Sequence, residues 1–339
     1  MRRNKSIVTL LVLLIIVLAS FYFFGMHAKP LPSAPGPASS NASGQLPSNS
    51  SSTGPETSAP ALTLRSNDSK ANITIATFNI QIFGESKRSK PQVMAVLCDV
   101  VWNFDIMAIQ ELRDDTETTL PFYLDQINSK NGSKFATVSS PRLGRTSSKE
   151  NYAFVYDTDS VSFIEGSNHT FTDPPDGTTV DLFQREPFIA RFRTVSGDFD
   201  FVIIDIHSEP DNTPAELDNM SRVMDWAKSL FPEEDDFIIL GDMNADCNYL
   251  KPSQNISLRG PQYTWLIPDS ADTTTKSTNC TYDRMIITEG VKEDYSGSWG
   301  VFRFDNQYSL NQSLTEDVSD HYPVWATFYI DHDSSSDMK

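Results

Sequence analysis

The pattern of apolar and polar positions changes twice along this chain of 339 residues. Residues 6–24 form one uncharged apolar run, and residues 29–63 hold hardly any large apolar side chain. From Ala71 onward, short β-branched runs alternate with polar, turn-rich loops, which is typical of many short strands. We therefore predict a folded domain at residues 71–332, followed by a polar tail at residues 333–339.

The domain is predicted to contain many strands and few helices. The strand candidates are "NITIATFNIQIF", "FDIMAIQEL", "YAFVYD", "FIARFRTV", "FDFVIIDIHSE", "DDFIILGDMNA", "YDRMIITEG" and "HYPVWATFYI". The segments "PQVMAVLCDVVWNF" and "PAELDNMSRVMDWAKSLF" instead carry apolar residues at helical spacing. This composition of elements predicts two sheets packed on one another, with helices on the outer faces.

The N-terminal region predicts a membrane segment followed by a stalk. Residues 6–24 are long enough to cross a bilayer at ~1.5 Å per residue. The basic residues in positions 1–5 should stay cytoplasmic, which places the rest of the chain in a lumen or outside the cell. A cleaved signal peptide stays open as an alternative, because Val17 and Ala19 are small residues at the spacing that cleavage requires. Residues 25–70 are rich in Ser and Pro and are predicted to be a disordered stalk.

Glycosylation sequons support a secreted context. Ten of them lie beyond the apolar run of residues 6–24, at Asn41, Asn49, Asn67, Asn72, Asn131, Asn168, Asn219, Asn255, Asn279 and Asn311. A single sequon arises easily by chance, but ten in one chain point together to a glycoprotein.

Net charge limits how the domain can bind other molecules. After Ala71 the chain holds 21 basic and 43 acidic residues, a formal charge of −22. This balance excludes nucleic-acid binding through a broad basic patch. Any anionic substrate would need divalent cations and a few local arginines to offset the repulsion.

Polar side chains stand at the ends of the predicted strands, where active sites are commonly built. They are Asn79, Gln81, Glu111, His207, Asp242, Asn244, Tyr282, Asp283, Asp320 and His321. Each of them taken alone is best interpreted as a turn or capping residue. Together, two imidazoles with several carboxylates and carboxamides supply a metal ligand, a base for water, an acid for the leaving oxygen and donors for a phosphate. The set therefore predicts metal-assisted phosphodiester hydrolysis.

A series of longer motifs then suggests a family. They are "FNIQIFGESK", "IQELRD", "LGRTSSKENYAFVY", "FQREPFIARF", "GDMNADCNYLKPSQ", "WLIPDSADTT", "CTYDR" and "SDHYPV". In this order they resemble the secreted deoxyribonuclease I family, within the endonuclease/exonuclease/phosphatase superfamily, over about residues 73–328. The resemblance implies an α/β fold: a four-layer sandwich of two packed, mainly antiparallel sheets flanked by helices, with the site at one edge.

The resemblance also implies a role for each strand-end residue. Glu111 matches the principal magnesium ligand, with Asn79 and Asp320 close by. His207 and His321 match the catalytic imidazole pair.

The remaining matches are to carboxylates that bind the two imidazoles and to polar groups around the phosphate. Glu150 should orient His207, and Asp283 should orient His321, because a carboxylate on one ring nitrogen fixes the tautomer. Asp242 and Asn244 match groups that hold the scissile phosphate and the attacking water.

Contacts to DNA are implied for Arg113, Arg185 and Tyr282, together with Asn244. Arginine gives phosphate a bidentate fork and reads no sequence by itself, so cleavage should be weakly selective. Ser148 departs from the family pattern, which has a tyrosine against a deoxyribose at this position. Loss of that contact affects affinity rather than chemistry.

Calcium ligands and a disulfide are implied as well. One calcium site would use Asp272 and Thr274, and the other would use Asp173, Asp181 and Glu186. Lys276 lies within the first calcium loop and is tolerable there only if its backbone carbonyl is the ligand.

The three cysteines divide into a pair and a single thiol. Cys247 and Cys280 match the family's structural disulfide. Cys98 falls among apolar residues of a predicted helix and should be a buried free thiol.

The function implied by the resemblance is that of a divalent-metal-dependent endonuclease that cleaves DNA and leaves 5′-phosphate ends. The active site would use Mg²⁺ or Mn²⁺, and Ca²⁺ would bind elsewhere in the domain. Two alternatives stay open. One is a phosphodiesterase of the same superfamily for another substrate, such as a phospholipid head group. The other is a surface binding module with incidental nuclease activity, for which actin is a candidate partner. In each case we expect a monomer.

Overall fold

The computed structural model describes residues 71–130, 132, 134–172 and 181–333. The predicted cytoplasmic segment, membrane segment and stalk lie outside these residues, as do Asp173 and the last six positions of the tail. Among the residues described, no helix is both long and apolar enough to cross a bilayer. The domain boundaries inferred from the sequence remain predictions.

One sheet contains six strands. They are β1 (Asn72–Phe83), β2 (Ile106–Leu112), β3 (Phe135–Ser139), β4 (Asn151–Asp157), β12 (Tyr295–Val301) and β13 (Val324–Tyr329). Their order across the sheet is β12-β13-β1-β2-β4-β3.

The other sheet contains seven strands. They are β5 (Val161–Phe163), β6 (His169–Thr170), β7 (Phe188–Thr194), β8 (Asp200–Asp205), β9 (Phe237–Asp242), β10 (Thr264–Trp265) and β11 (Asp283–Ile287). The order is β10-β11-β9-β8-β7-β5, and β6 also pairs with β7. Within the described ranges, β1 with β2 and β8 with β9 are parallel, and the other pairings are antiparallel.

Helices cover the outer faces of the sheets. They are α1 (Glu85–Arg88), α2 (Pro91–Val101), α3 (Thr119–Asn128), α4 (Thr213–Leu230), α5 (Phe304–Gln307) and α6 (Gln312–Val318). Single 3-10 turns lie at Pro210–Asn212, Ser257–Arg259 and Gly290–Lys292. The two helices predicted from apolar spacing are α2 and α4, and both are confirmed.

The core has three layers of apolar side chains, because strand residues alternate between the two faces of each sheet. In β1, Ile75 belongs to the cluster between the sheets, and Phe78 belongs to the cluster under α2. In β9, Leu240 faces the other sheet while Ile239 packs under α4. The four-layer α/β sandwich of two mainly antiparallel sheets is therefore confirmed.

Strand direction and register bring the polar strand ends to one edge of the sandwich. The parallel pairing of β1 and β2 sets Asn79 beside Gln110, so Glu111 follows directly. The antiparallel pairing of β9 and β11 sets Asp242 opposite Asp283. An isolated bridge joins Thr274 to His321 just before β13.

Candidate active site

The imidazole of His207 is oriented by a buried carboxylate. Its Nδ1 lies 2.6 Å from Oε1 of Glu150, whose side chain is fully buried. The backbone N–H of His207 donates to the hydroxyl of Tyr152 at 2.9 Å. Burial by itself raises the pKa of Glu150, but the charge and hydrogen bond of His207, helped by Arg185, lower it to about 2. The ionised carboxylate fixes the ring and leaves Nε2 turned toward the site.

The imidazole of His321 has the same arrangement. Its Nδ1 lies 2.8 Å from Oδ2 of Asp283, which is completely buried. Burial alone lowers the pKa of His321, but the charges of Asp283 and Asp242 raise it to about 10. The His321–Asp283 pair therefore keeps a proton between Nδ1 and Oδ2, again with Nε2 directed into the site.

Both imidazoles face one oxygen of Asp242. Oδ2 of Asp242 lies 3.6 Å from Nε2 of His207 and 3.6 Å from Nε2 of His321. Burial raises the pKa of Asp242, but the charges of His321 and His207 outweigh it and lower the pKa. Both ring nitrogens therefore lie near the same carboxylate oxygen, where they can transfer protons to and from one bound group.

Glycine is required just before this carboxylate. Gly241 has φ 133°, and a Cβ placed there would lie 2.0 Å from the carbonyl oxygen of Ile206. The close approach of β9 to the end of β8, and with it the position of Asp242 against His207, therefore depends on the missing side chain.

The predicted metal ligands lie at the edge of the first sheet. Asn79 Nδ2 donates to Glu111 Oε1 at 3.3 Å and to Asp242 Oδ2 at 2.9 Å. Asn79 Oδ1 is buried and has no hydrogen-bond partner within the described ranges. Such an acceptor is costly unless a group outside the chain satisfies it.

Glu111 sits in strained backbone. Its φ is 62°, and Ile82 on the neighbouring strand has φ 49°. The register between β1 and β2 shifts here, and Oε2 of Glu111 accepts a hydrogen bond from the Ile82 backbone N–H at 2.9 Å. The irregularity re-aims the carboxylate, as bulges commonly do beside active sites.

Asp320 completes the predicted ligand set. Its Oδ2 accepts from Gln81 Nε2 at 2.7 Å and pairs with Lys276 Nζ at 3.1 Å, while Oδ1 is 3.8 Å from His321 Nε2. Two carboxylates with an unsatisfied amide oxygen are the hard oxygen ligands that Mg²⁺ prefers. Asp242, Asp283 and His321 also offer atoms within 4.8 Å of one another. The residues of this edge therefore fit a divalent cation.

The two arginines predicted to contact DNA differ in exposure. Arg113 lies between two site carboxylates, with Nε 3.4 Å from Glu111 Oε2 and 3.3 Å from Glu150 Oε2. Arg185 is buried, and its Nη2 donates to the backbone carbonyls of His207 at 2.9 Å and Ser208 at 3.2 Å. In this structure Arg185 therefore positions the end of β8, and a DNA contact by Arg185 remains a prediction.

Asn244 and Tyr282 lie beside the central carboxylate. The Asn244 backbone N–H donates to Asp242 Oδ1 at 3.0 Å, and its Nδ2 donates to Ser208 O at 3.0 Å. The ring of Tyr282 is half-buried, 6.2 Å from the ring of His321. Ser148 is exposed, two residues before Glu150.

The structure describes the surroundings of four of the five predicted calcium ligands. Asp272 Oδ1 accepts from the backbone and hydroxyl of Thr274 at 3.0 Å and 2.8 Å, so these two residues share an oxygen-rich loop. Asp181 is exposed, and both of its carboxylate oxygens accept hydrogen bonds from Arg145. Glu186 is half-buried just before β7. Both calcium sites remain predictions.

The cysteines are arranged as the sequence suggests. Cys247 and Cys280 form a disulfide, with their Cα atoms 5.9 Å apart. Next to it, the Thr281 N–H donates to Asp246 Oδ2 at 2.8 Å, which ties the same two loops together. Cys98 is a buried free thiol, and burial raises its pKa to about 11, so it is unreactive at neutral pH.

Some residues that hold the site have no signal in the sequence. Ser319 Oγ donates to Asn79 O at 2.6 Å and accepts from the backbone N–H of Gln81 and of His321. Tyr152 supports His207 in a similar way. A serine beside Asp320 and a tyrosine within a strand are ordinary in sequence, and only the tertiary contacts show what they do.

The fold and the polar edge of the sandwich are those of a phosphodiesterase-type hydrolase, and comparison with known proteins supports this class. Residues 76–321 match the model of the Endonuclease/Exonuclease/phosphatase family. The chain is 38% identical to rabbit (Oryctolagus cuniculus) deoxyribonuclease-1 over 263 residues, which cover 76% of this chain and 92% of that protein. It is 39% identical to human deoxyribonuclease gamma over 272 residues, 78% of this chain and 88% of that protein.

Solved structures share the fold at lower identity. A family protein from Bacteroides thetaiotaomicron aligns with a TM-score of 0.55 at 17% identity, over 77% of this chain and 98% of that chain. The chain belongs to the Endonuclease/Exonuclease/phosphatase family and, within it, to the deoxyribonuclease I family.

Proposed function

We propose that the chain is a divalent-metal-dependent endonuclease that hydrolyses DNA phosphodiester bonds with little sequence preference and leaves 5′-phosphate ends. The observation that carries the proposal is the pair of carboxylate-oriented imidazoles, each with Nε2 3.6 Å from the same oxygen of Asp242. The names of its relatives, deoxyribonuclease-1 and deoxyribonuclease gamma, support DNA as the substrate.

The two imidazoles divide the proton transfers between them. Nε2 of one ring takes the proton of the attacking water, and Nε2 of the other gives a proton to the departing 3′ oxygen. The P–O3′ bond breaks as the new P–O bond forms, which leaves the phosphate on the 5′ side. Glu150 and Asp283 stabilise the charge that each ring carries in turn.

The groups around the imidazoles hold the reactants. Asp242 orients the attacking water, and Asn244 donates to the scissile phosphate. Mg²⁺ or Mn²⁺ held by Glu111, Asn79 and Asp320 would neutralise charge on the phosphate. Arg113 would add a guanidinium, which suits the phosphate backbone without reading the bases.

The negative charge of the domain bears on the metal and salt dependence of the enzyme, and the N-terminal region bears on its location. A formal charge of −22 after Ala71 opposes DNA binding, so activity should need divalent cations and fall with salt. Calcium held by the Asp272 loop and the Asp181–Glu186 segment would stabilise the fold. We place the enzyme outside the cell or in a lumen, tethered by residues 6–24 or released after their cleavage.

A plasmid assay tests this proposal. The purified protein should convert supercoiled plasmid to nicked circles with Mg²⁺ and Ca²⁺, and lose this activity in chelator. DNA ligase should reseal the nicks, because it joins 5′-phosphate to 3′-hydroxyl ends. Absence of nicking under every divalent condition would overturn the proposal, and hydrolysis of a phospholipid head group instead would favour the alternative substrate.

A further inference from the structure

The loop of residues 272–280 is fixed against the active site. The Thr275 N–H donates to Asp320 O at 2.9 Å, and the Thr275 hydroxyl donates to Ser319 O at 2.8 Å. From the other side, Gln312 Nε2 donates to Thr275 O at 2.8 Å, and the disulfide closes the far end of the loop. The backbone on either side of Thr275 therefore has a defined place beside Asp320.

This loop delivers a lysine to the predicted metal ligand. Nζ of Lys276 lies 3.1 Å from Asp320 Oδ2, the same oxygen that accepts from Gln81. The Lys276 side chain is 51% exposed and that of Asp320 is 22% exposed. Such a half-exposed ion pair contributes little stability, so the ammonium can leave the carboxylate at small cost.

Other cations around this edge are held more firmly. Lys87 is buried and donates to Val318 O at 2.6 Å. Arg113 lies between two carboxylates, and Arg185 is buried against backbone carbonyls. Lys276 differs from these three because its ammonium is half-exposed on a flexible stem.

A divalent cation at Asp320 would compete with this ammonium for the same oxygen. Beside Lys276 lies an open cavity of 580 Å³ lined by Arg303, by Gln312 and by three carboxylates that already accept hydrogen bonds within the chain, those of Asp272, Asp305 and Glu316. An ammonium displaced from Asp320 would remain beside this carboxylate, whose Oδ1 lies 3.8 Å from Nε2 of His321. It needs no fixed orientation to pair with a phosphate, because lysine acts as a point charge.

We propose that Lys276 binds a backbone phosphate of the substrate and is held by Asp320 until a divalent cation takes that carboxylate. The proposal rests on the proposed function, since the phosphate is that of DNA. It gives Lys276 two linked properties. Its charge adds to DNA affinity, and its pairing with Asp320 lowers metal affinity.

The first property is tested by DNA binding without turnover. Fluorescence anisotropy of a labelled duplex would be measured in Mg²⁺ with the full chain carrying His207→Ala. Adding Lys276→Gln should weaken binding by about 3- to 10-fold and reduce the slope of log K against log salt by about 0.9, the value for one phosphate contact. Lys276→Arg should restore both quantities.

The matched control is Lys292→Gln. Lys292 ends a 3-10 turn beyond the far end of β11 and pairs with Glu289, so the control removes the same charge away from the site. If Lys276→Gln and Lys292→Gln have the same affinity and salt slope, the phosphate contact is wrong.

The second property is tested by the metal alone. In calorimetric titration without DNA, Lys276→Gln should bind Mn²⁺ roughly 2- to 5-fold more tightly than the parent, because Asp320 loses its competing cation. Unchanged Mn²⁺ affinity would overturn the competition. If the wild-type chain nicks plasmid while Lys276→Gln has the same DNA affinity and salt slope as the control Lys292→Gln, only the proposal for Lys276 fails. If the wild type neither binds nor nicks DNA, the proposed function fails with it.

Discussion

Replacing Asp236 by asparagine should stabilise the protein at neutral pH. Asp236 precedes β9, at the end of the sandwich opposite the active site, and it is 1% exposed. Its Oδ2 has no hydrogen-bond partner in the part of the chain that the structure describes. Burial, with the nearby charges of Glu234, Asp294 and Asp333, raises its pKa to about 9. Arg191 pairs with Glu234 and with Asp200 instead.

Proton linkage determines how the protonation of Asp236 changes stability with pH. The folded state keeps the Asp236 proton up to about pH 9, whereas the unfolded chain releases it near the ordinary pKa of 3.8. The folded state therefore holds one more proton across this window, and stability falls as pH rises through it. At pH 7 a single isolated site of this kind would cost about 4 kcal/mol. Because Glu234 and Asp294 share the same repulsion, we expect asparagine to recover about 1–3 kcal/mol.

The assay is thermal unfolding followed by circular dichroism between about pH 5 and pH 9, with chelator present. Each kcal/mol should raise Tm by about 2–4 °C in a domain of this size. Asp235→Asn is the matched control, because it removes the same charge from an exposed neighbour and should change Tm little. A variant Asp236→Asn that is less stable than wild type, or whose advantage does not grow with pH, would refute the reasoning.

Three further predictions concern other parts of the chain. Replacing Cys247 and Cys280 together by alanine should lower the free energy of unfolding by about 3–4 kcal/mol in denaturant titrations, because the bond closes a loop with a sequence separation of 33; unchanged stability would contradict this. Ser148→Tyr should tighten binding to a labelled duplex several-fold, or about 1 kcal/mol, because the ring adds apolar contact with the DNA. An unchanged Kd would place this position away from DNA. If residues 6–24 are an uncleaved anchor, activity should pellet with membranes and resist carbonate extraction, whereas mature protein that starts near Ser20 in the medium would show a cleaved signal.

The sequence predicts the sheets and the edge that carries the site because both follow from local patterns. Alternating apolar residues define strands such as β9, and a polar residue directly after such a run must lie at the sheet edge. Asp242, after "FIILG", and His207, after "IIDI", are placed correctly by this rule. Strands β5, β6 and β10 have two or three residues, too few to show any period, and they are not predicted. The longer strands β3 and β12 and the helix α3 are not predicted either; the two strands are mostly half-exposed and show no clean alternation of buried and exposed residues.

The sequence does not predict side-chain contacts between segments that lie far apart along the chain. Lys276 lies 44 residues before Asp320, and only the folded loop brings its ammonium to that carboxylate. An arginine is the residue type expected to contact DNA, and the sequence therefore suggests this role for Arg185. Its burial against the carbonyls of His207 and Ser208 depends on how the segment before β7 packs against the end of β8. The pairing of Asp181 with Arg145 likewise depends on two loops that meet in space.

The rate of plasmid nicking by the two histidine variants tests the central claim most directly. His207→Ala and His321→Ala should each reduce the rate by at least ~10²-fold, the usual contribution of one acid–base group. The double variant should lose far less than the product of the two losses, because groups that act as a unit are not additive. His332→Ala, a change at an exposed imidazole on the opposite end, should retain the wild-type rate. A folded His321→Ala protein that nicks plasmid at a near-normal rate would contradict the paired-imidazole mechanism.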